Sequence, residues 1–72
     1  MEEAKNKAIE LFSIYKKYYD DEKAKQKAHG MIDRIIKSFR HILNTTDNYI
    51  TLKNMGDEIV FYKQVKIELD KL

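Results

Sequence analysis

Residues 24–44 read AKQKAHGMIDRIIKSFRHILN. At about 100° of rotation per residue, their apolar positions collect in one sector. Ala28, Ile32, Ile35, Phe39 and Ile42 form a central stripe at spacings of four and three, and Ala24, Met31, Ile36 and Leu43 broaden it on both sides. A narrow seam serves one neighbour, whereas a face this wide packs against two helices. Phe39 belongs to that buried face, so Phe39→Ala is expected to be severe. The opposite sector carries Lys23, Lys27, Gly30, Arg34, Lys37 and His41, with no carboxylate among them. Asp33 lies at the flank, and its expected partner is Lys37, one turn on. Gly30 costs the helix about 1 kcal/mol relative to alanine. It is either a tolerated surface glycine or a place where a partner approaches the backbone.

Upstream, Ala4, Ala8, Leu11, Tyr15 and Tyr18 make the stripe of a first helix over 2–19, with Phe12 and Tyr19 beside it and Ile9 and Ile14 outside it. Glu2 and Glu3 open this helix and Lys16 and Lys17 close it, as the helix dipole prefers. The apolar sectors of the first and second helices are out of phase, so a tight turn near Asp20–Asp21 separates them. Either aspartate can cap the free N–H groups of the second helix, over 21–44. Downstream, Asn44-Thr45-Thr46-Asp47-Asn48 is a cluster of turn formers. Tyr49-Ile50-Thr51-Leu52 is β-prone but has no second strand to pair with. It reads as an extended linker that tucks an apolar side chain over the open end of the helix pair. Asn54 is then the cap of a third helix over 55–71, with Asp57 in a capping-box-like position. Met55, Ile59, Tyr62, Val65, Leu69 and Leu72 face inward, while Val60 and Ile67 lie on nearly the opposite side. The expectation is an all-α three-helix bundle formed by residues 1–72 as one domain.

Composition narrows the function classes. The chain has 72 residues, no cysteine, no proline and two glycines. No disulfide can staple it and no thiolate can ligate a metal. No apolar run approaches the roughly 20 residues of a membrane span, and the N-terminal MEEAKNKAIE lacks the apolar core of a signal peptide. The chain therefore reads as soluble and intracellular. Its net charge of +2 is unevenly placed. Residues 1–21 and 45–72 each carry four lysines against five acids, whereas residues 22–44 carry six Lys or Arg against two acids, plus both histidines. The excess positive charge belongs to the central helix, on the face turned away from the core.

Catalytic patterns are missing from the sequence. His29 and His41 stand twelve residues apart on one helix, with no HExxH or Cys/His spacing around them. Asp20, Asp21 and Glu22 lack the spacing of a calcium loop, and capping accounts for them. There is no glycine-rich phosphate loop, and Ser13 and Ser38 stand in no motif. The expectation is a protein that is not an enzyme and uses no metal or cofactor. Two surfaces remain as binding candidates. One is the basic stripe Lys23, Lys27, Arg34, Lys37 and His41, suited to phosphates or to an acidic protein, against the plainer alternative of a solvated helix face. Tyr15, Tyr18 and Tyr19, which could stack on bases, belong to another helix and are assigned to the core. The other surface is the apolar patch Val60 and Ile67, which would meet a partner or a second copy in a homodimer.

The segments AIELF (8–12), AKQKA (24–28), IDRIIKS (32–38) and FYKQVKIELDKL (61–72) carry a resemblance. The chain resembles the short all-helical accessory proteins encoded by phages and prophages of AT-rich bacteria. The resemblance spans the three helices and skips the linker. It implies a counter-defence inhibitor, of the kind that includes anti-CRISPR proteins, acting in the cytoplasm of an infected bacterial host. It implies as partner a host defence protein or ribonucleoprotein, such as an RNA-guided CRISPR effector, RNA-targeting ones included, with RNA contact through the basic helix. The alternatives are a small nucleic-acid-binding regulator and a helical oligomerisation module.

Overall fold

The computed structural model describes residues 2–72, of which 87% are helical, with three helices and no strand among them. They are α1 (Glu2–Lys16), α2 (Asp21–Thr45) and α3 (Tyr49–Asp70). The architecture is a small all-α three-helix bundle.

Each boundary has a local cause. The backbone N–H groups of Tyr18 and Tyr19 both donate to the Tyr15 carbonyl, at 3.1 and 3.0 Å, and close α1. Asp20 then takes an extended conformation (φ −69°, ψ 174°), and its carboxylate accepts from the Lys23 backbone N–H at 2.8 Å. Of the two aspartates expected at this turn, Asp20 is thus the cap. Asp21 binds Lys16 at 2.5 Å and bridges the two helices. That hydrogen bond, with the Lys16 charge behind it, holds the Asp21 carboxyl below the usual carboxylate range. The pair stabilises the fold above the unfolded carboxylate pKa and is lost as pH falls through the lowered one.

The sequence-based bounds need two corrections. α1 ends at Lys16 and not at 19, which leaves Tyr18 in the turn with 80% of its surface exposed. α3 starts at Tyr49 and not at 55. Its cap is Asn48, whose side-chain oxygen accepts from the Thr51 backbone N–H at 3.1 Å, while Asn54 lies exposed inside the helix. No extended linker tucks over the helix pair. The β preference of Tyr49-Ile50-Thr51 loses because a lone extended segment leaves its backbone unpaired, whereas the helix pairs it, beginning with Leu52 N–H to the Asn48 carbonyl at 2.9 Å. Asn48→Ala should therefore destabilise the protein by about 1 kcal/mol, read as a lower midpoint in thermal melting, whereas Asn54→Ala should not destabilise it.

All three helices meet in one core of Ala4, Ala8, Leu11, Ala28, Ile32, Ile36, Ile59, Val65 and Leu69, with Phe12, Tyr15, Phe39, Leu43, Phe61 and Tyr62 packed around it. The small side chains of α1 let it approach closely. The buried line on α2 runs through Ala24, Ala28, Ile32 and Ile36. Ile35 and Phe39 are half-buried, and Ile42 and Met31 are exposed. The true centre of the face is thus turned toward Ile36, away from Ile35 and Ile42, and Phe39 is not the deepest residue. Leu72, assigned inward, is exposed, whereas Glu68 is buried and accepts from Lys71 Nζ at 3.1 Å.

α2 and α3 run antiparallel, as three contacts fix. His29 Nε2 meets Asp70 Oδ1 at 2.7 Å, Asp33 Oδ1 accepts from Lys66 Nζ at 2.6 Å, and the Phe39 and Tyr62 rings lie 6.0 Å apart. Asp33 thus pairs across the helices and not with Lys37. α1 ends at the Asp20 turn beside the start of α2 and, with 15 residues against 25 in α2 and 22 in α3, stops short of the far end of α2. The remaining tip is a two-helix hairpin on which Ile42, Tyr49 and Ile50 are exposed. No helix among the described residues is long and apolar enough to cross a membrane.

Candidate functional site

Lys23, Lys27, Arg34, Lys37 and His41 are all exposed on α2. Helical periodicity places them along its outer ridge, which spans about 27 Å at 1.5 Å per residue. Gly30 shares that ridge. None of the cations among them forms an ion pair with a carboxylate of the described residues. Ser38 and Thr45, which follow Arg34 and His41 by one turn, turn their hydroxyls back to donate to those residues' carbonyls at 3.0 Å each. The side chains of Arg34 and His41 are left facing solvent.

Tertiary packing adds what one helix cannot. On one side of the ridge, α2 and α3 enclose a groove of about 390 Å³ lined by Asp33, Ile36, Lys37, Arg40, Lys63 and Lys66. Four cations from two helices converge there on one acid, and Asp33 is already engaged by Lys66 at 2.6 Å. Arg40, Lys63 and Lys66 were not among the basic residues singled out from the sequence. Arg40 sits off the α2 stripe, and α3 carries four acids against three bases overall. The signal that could have found them is the antiparallel register. Once Asp33 faces Lys66, Lys63 is brought level with Lys37 and Arg40 one turn along.

On the other side of the ridge, α1 and α2 form a groove of about 460 Å³ lined by Tyr15, Tyr19, Gln26, Lys27, Gly30, Met31 and Arg34. Here the assignment of the tyrosines to the core needs correction. Tyr15 does pack against it, but Tyr18 is 80% and Tyr19 38% exposed. The Lys27 ammonium lies 5.4 Å from the centroid of the Tyr19 ring. An exposed cation–π contact of this kind is worth about 0.5–1 kcal/mol, so Lys27 is readily displaced. A Cβ built on Gly30 would have no atom within 4 Å, and its backbone is ordinary helix. Packing therefore does not require glycine at this position. A third concavity, of about 550 Å³ and lined by Arg34, Lys37, Ser38, His41 and Ile42, draws on a single helix. It is a shallow open surface and not an enclosed site.

His29 is separate from the ridge. Its ring is largely covered and tied to Asp70, so it holds α2 to the end of α3. Val60 and Ile67 are 66% and 51% exposed on the outer face of α3, on the side away from the core, as their spacing predicts. The candidate site is thus a basic ridge on α2 between a lysine-lined groove on one flank and a tyrosine-lined groove on the other. No family model matches the chain, and neither does any curated protein or solved structure.

Proposed function

We propose that this chain is a non-enzymatic binding protein whose α2 ridge, widened by α3, engages the phosphates of an RNA or ribonucleoprotein. The observation that carries this reading is the convergence of Lys37, Arg40, Lys63 and Lys66 on a groove whose one acid is already paired. Lys66 neutralises that acid, and Lys37, Arg40 and Lys63, which have no carboxylate partner among the described residues, raise the local potential. They gain most from a dense row of negative charge, and a phosphate backbone supplies one. Combined with the resemblance to phage accessory proteins, this supports the reading of a counter-defence inhibitor that occupies the nucleic-acid path of an RNA-guided host effector, in the cytoplasm of the infected cell.

The test has two parts. Binding to a labelled RNA should weaken steeply with salt, with log Kd rising by roughly 3–4 per decade of salt for five phosphate contacts on a single strand. Inhibition of an effector should be complete at a fixed stoichiometry. Salt-independent binding would point to a different surface, and inactivation with turnover would make the chain an enzyme. A second reading, self-association through α3, has its own observation in the exposed Val60 and Ile67. It predicts a concentration-dependent oligomer that the double variant Val60→Ser, Ile67→Ser abolishes.

A further inference from the structure

The α1–α2 groove has features that phosphate binding alone leaves unused. It has an exposed tyrosine ring, a glutamine amide at its edge, and a glycine that the fold does not need. We propose that this groove seats one unpaired base of a single-stranded nucleic acid. The base stacks on Tyr19, Gln26 meets its hydrogen-bonding edge, and Lys27 and Arg34 hold the adjacent phosphates. The inference rests on the ridge reading above and narrows it from phosphate-bearing partners in general to single strands.

Three observations support it. First, Tyr19 stands at the lip of the groove with a good part of its ring open to solvent, while Tyr15 below it is packed against the core and forms a floor. Base stacking on an aromatic ring gains more than the single exposed cation contact now on Tyr19. A base can therefore displace Lys27, whose ammonium then lies beside the sugar–phosphate chain. Second, Gly30 forms part of the wall at a point where open space surrounds the missing side chain. Any larger residue would project into the groove. A glycine in mid-helix weakens the helix, and close approach of a ligand to the backbone is the use that glycine uniquely permits. Third, Gln26 offers both an amide donor and a carbonyl acceptor within the same lining as Arg34. In a duplex the bases are stacked and paired inside, so neither the ring nor the amide has anything to meet. The major groove of A-form RNA is also too deep and narrow for side chains to read.

The test uses the full chain, a labelled single-stranded oligouridine, and an RNA duplex of the same length. Gly30→Leu should raise the melting midpoint, because leucine is the better helix former. It should also weaken oligouridine binding about tenfold, by far more than it weakens duplex binding. Tyr19→Leu should do the same to oligouridine binding, and Tyr19→Phe, which keeps the ring, should restore it. If Gly30→Leu and Tyr19→Leu both bind oligouridine like the parent, the groove seats no base, and the ridge reading stands on the parent's salt-sensitive binding. If the parent binds neither oligouridine nor duplex, the ridge reading fails and the base site fails with it.

Discussion

Ile32→Ala should be among the most damaging single truncations in this protein, at about 2–5 kcal/mol. Ile32 is the largest fully buried side chain on α2 and lies where all three helices meet. Removing its outer carbons leaves a cavity that α1 cannot close, because the α1 residues Ala4 and Ala8 are already in close contact and have no side chain to extend. A chain of this length has total stability of roughly 4–11 kcal/mol, so the loss is a large fraction of it. Thermal melting followed by circular dichroism should show a midpoint lower by roughly 10–30 °C. Ile36→Ala should follow Ile32→Ala. Phe39→Ala should cost less than a fully buried aromatic would, because the ring is half-buried and touches Tyr62 at a tilt. A ranking in which Ile35→Ala or Ile42→Ala exceeds Ile32→Ala would mean that α2 presents a different face to the bundle.

Removing the converging charge should have the largest effect on binding. Arg34, Lys37, Arg40 and Lys63 are exposed and form no ion pair among the described residues. Changing all four to glutamine should therefore leave the fold intact, since Lys, Arg and Gln are comparable helix formers. Lys66 is kept because it neutralises Asp33. Each single-strand phosphate contact contributes about 0.7 to the slope of log affinity against log salt. Losing four contacts should therefore flatten the slope by roughly three and lower affinity at 0.1 M salt by a few hundredfold. Val60→Ser with Ile67→Ser is the contrast and should leave nucleic-acid binding unchanged. If the glutamine variant binds like the parent and the serine pair does not, the ridge is a solvated face and the outer side of α3 is the working surface.

The resolution of this molecule into helices follows from local signals that a sequence carries by itself. The period of the apolar residues in 24–44, the capping aspartate before it and the lack of proline set an all-α chain with a two-sided central helix, and the displacement of acids from its outer face marks the basic ridge. Periodicity also placed Val60 and Ile67 outside, because a helix rotates by a nearly constant angle whatever it packs on. What depended on non-local contacts was decided in the tertiary structure. Tyr49–Leu52 is helical because no strand among the described residues exists to pair it, a fact about the rest of the fold and not about those residues. Tyr18 and Tyr19 are out of the core because α1 stops at Lys16, where the Asp20 cap takes the chain out of the helix. The rotation of α2 toward Ile36 reflects the joint packing of α1 and α3, which the apolar pattern of one helix does not contain. The lysine groove needed the antiparallel register of α2 and α3, since charges remote in sequence become neighbours only when that register is set. Pairing Asp33 with Lys66, and not with the nearer Lys37, both neutralises the groove's one acid and helps set the register that brings Lys63 level with Lys37.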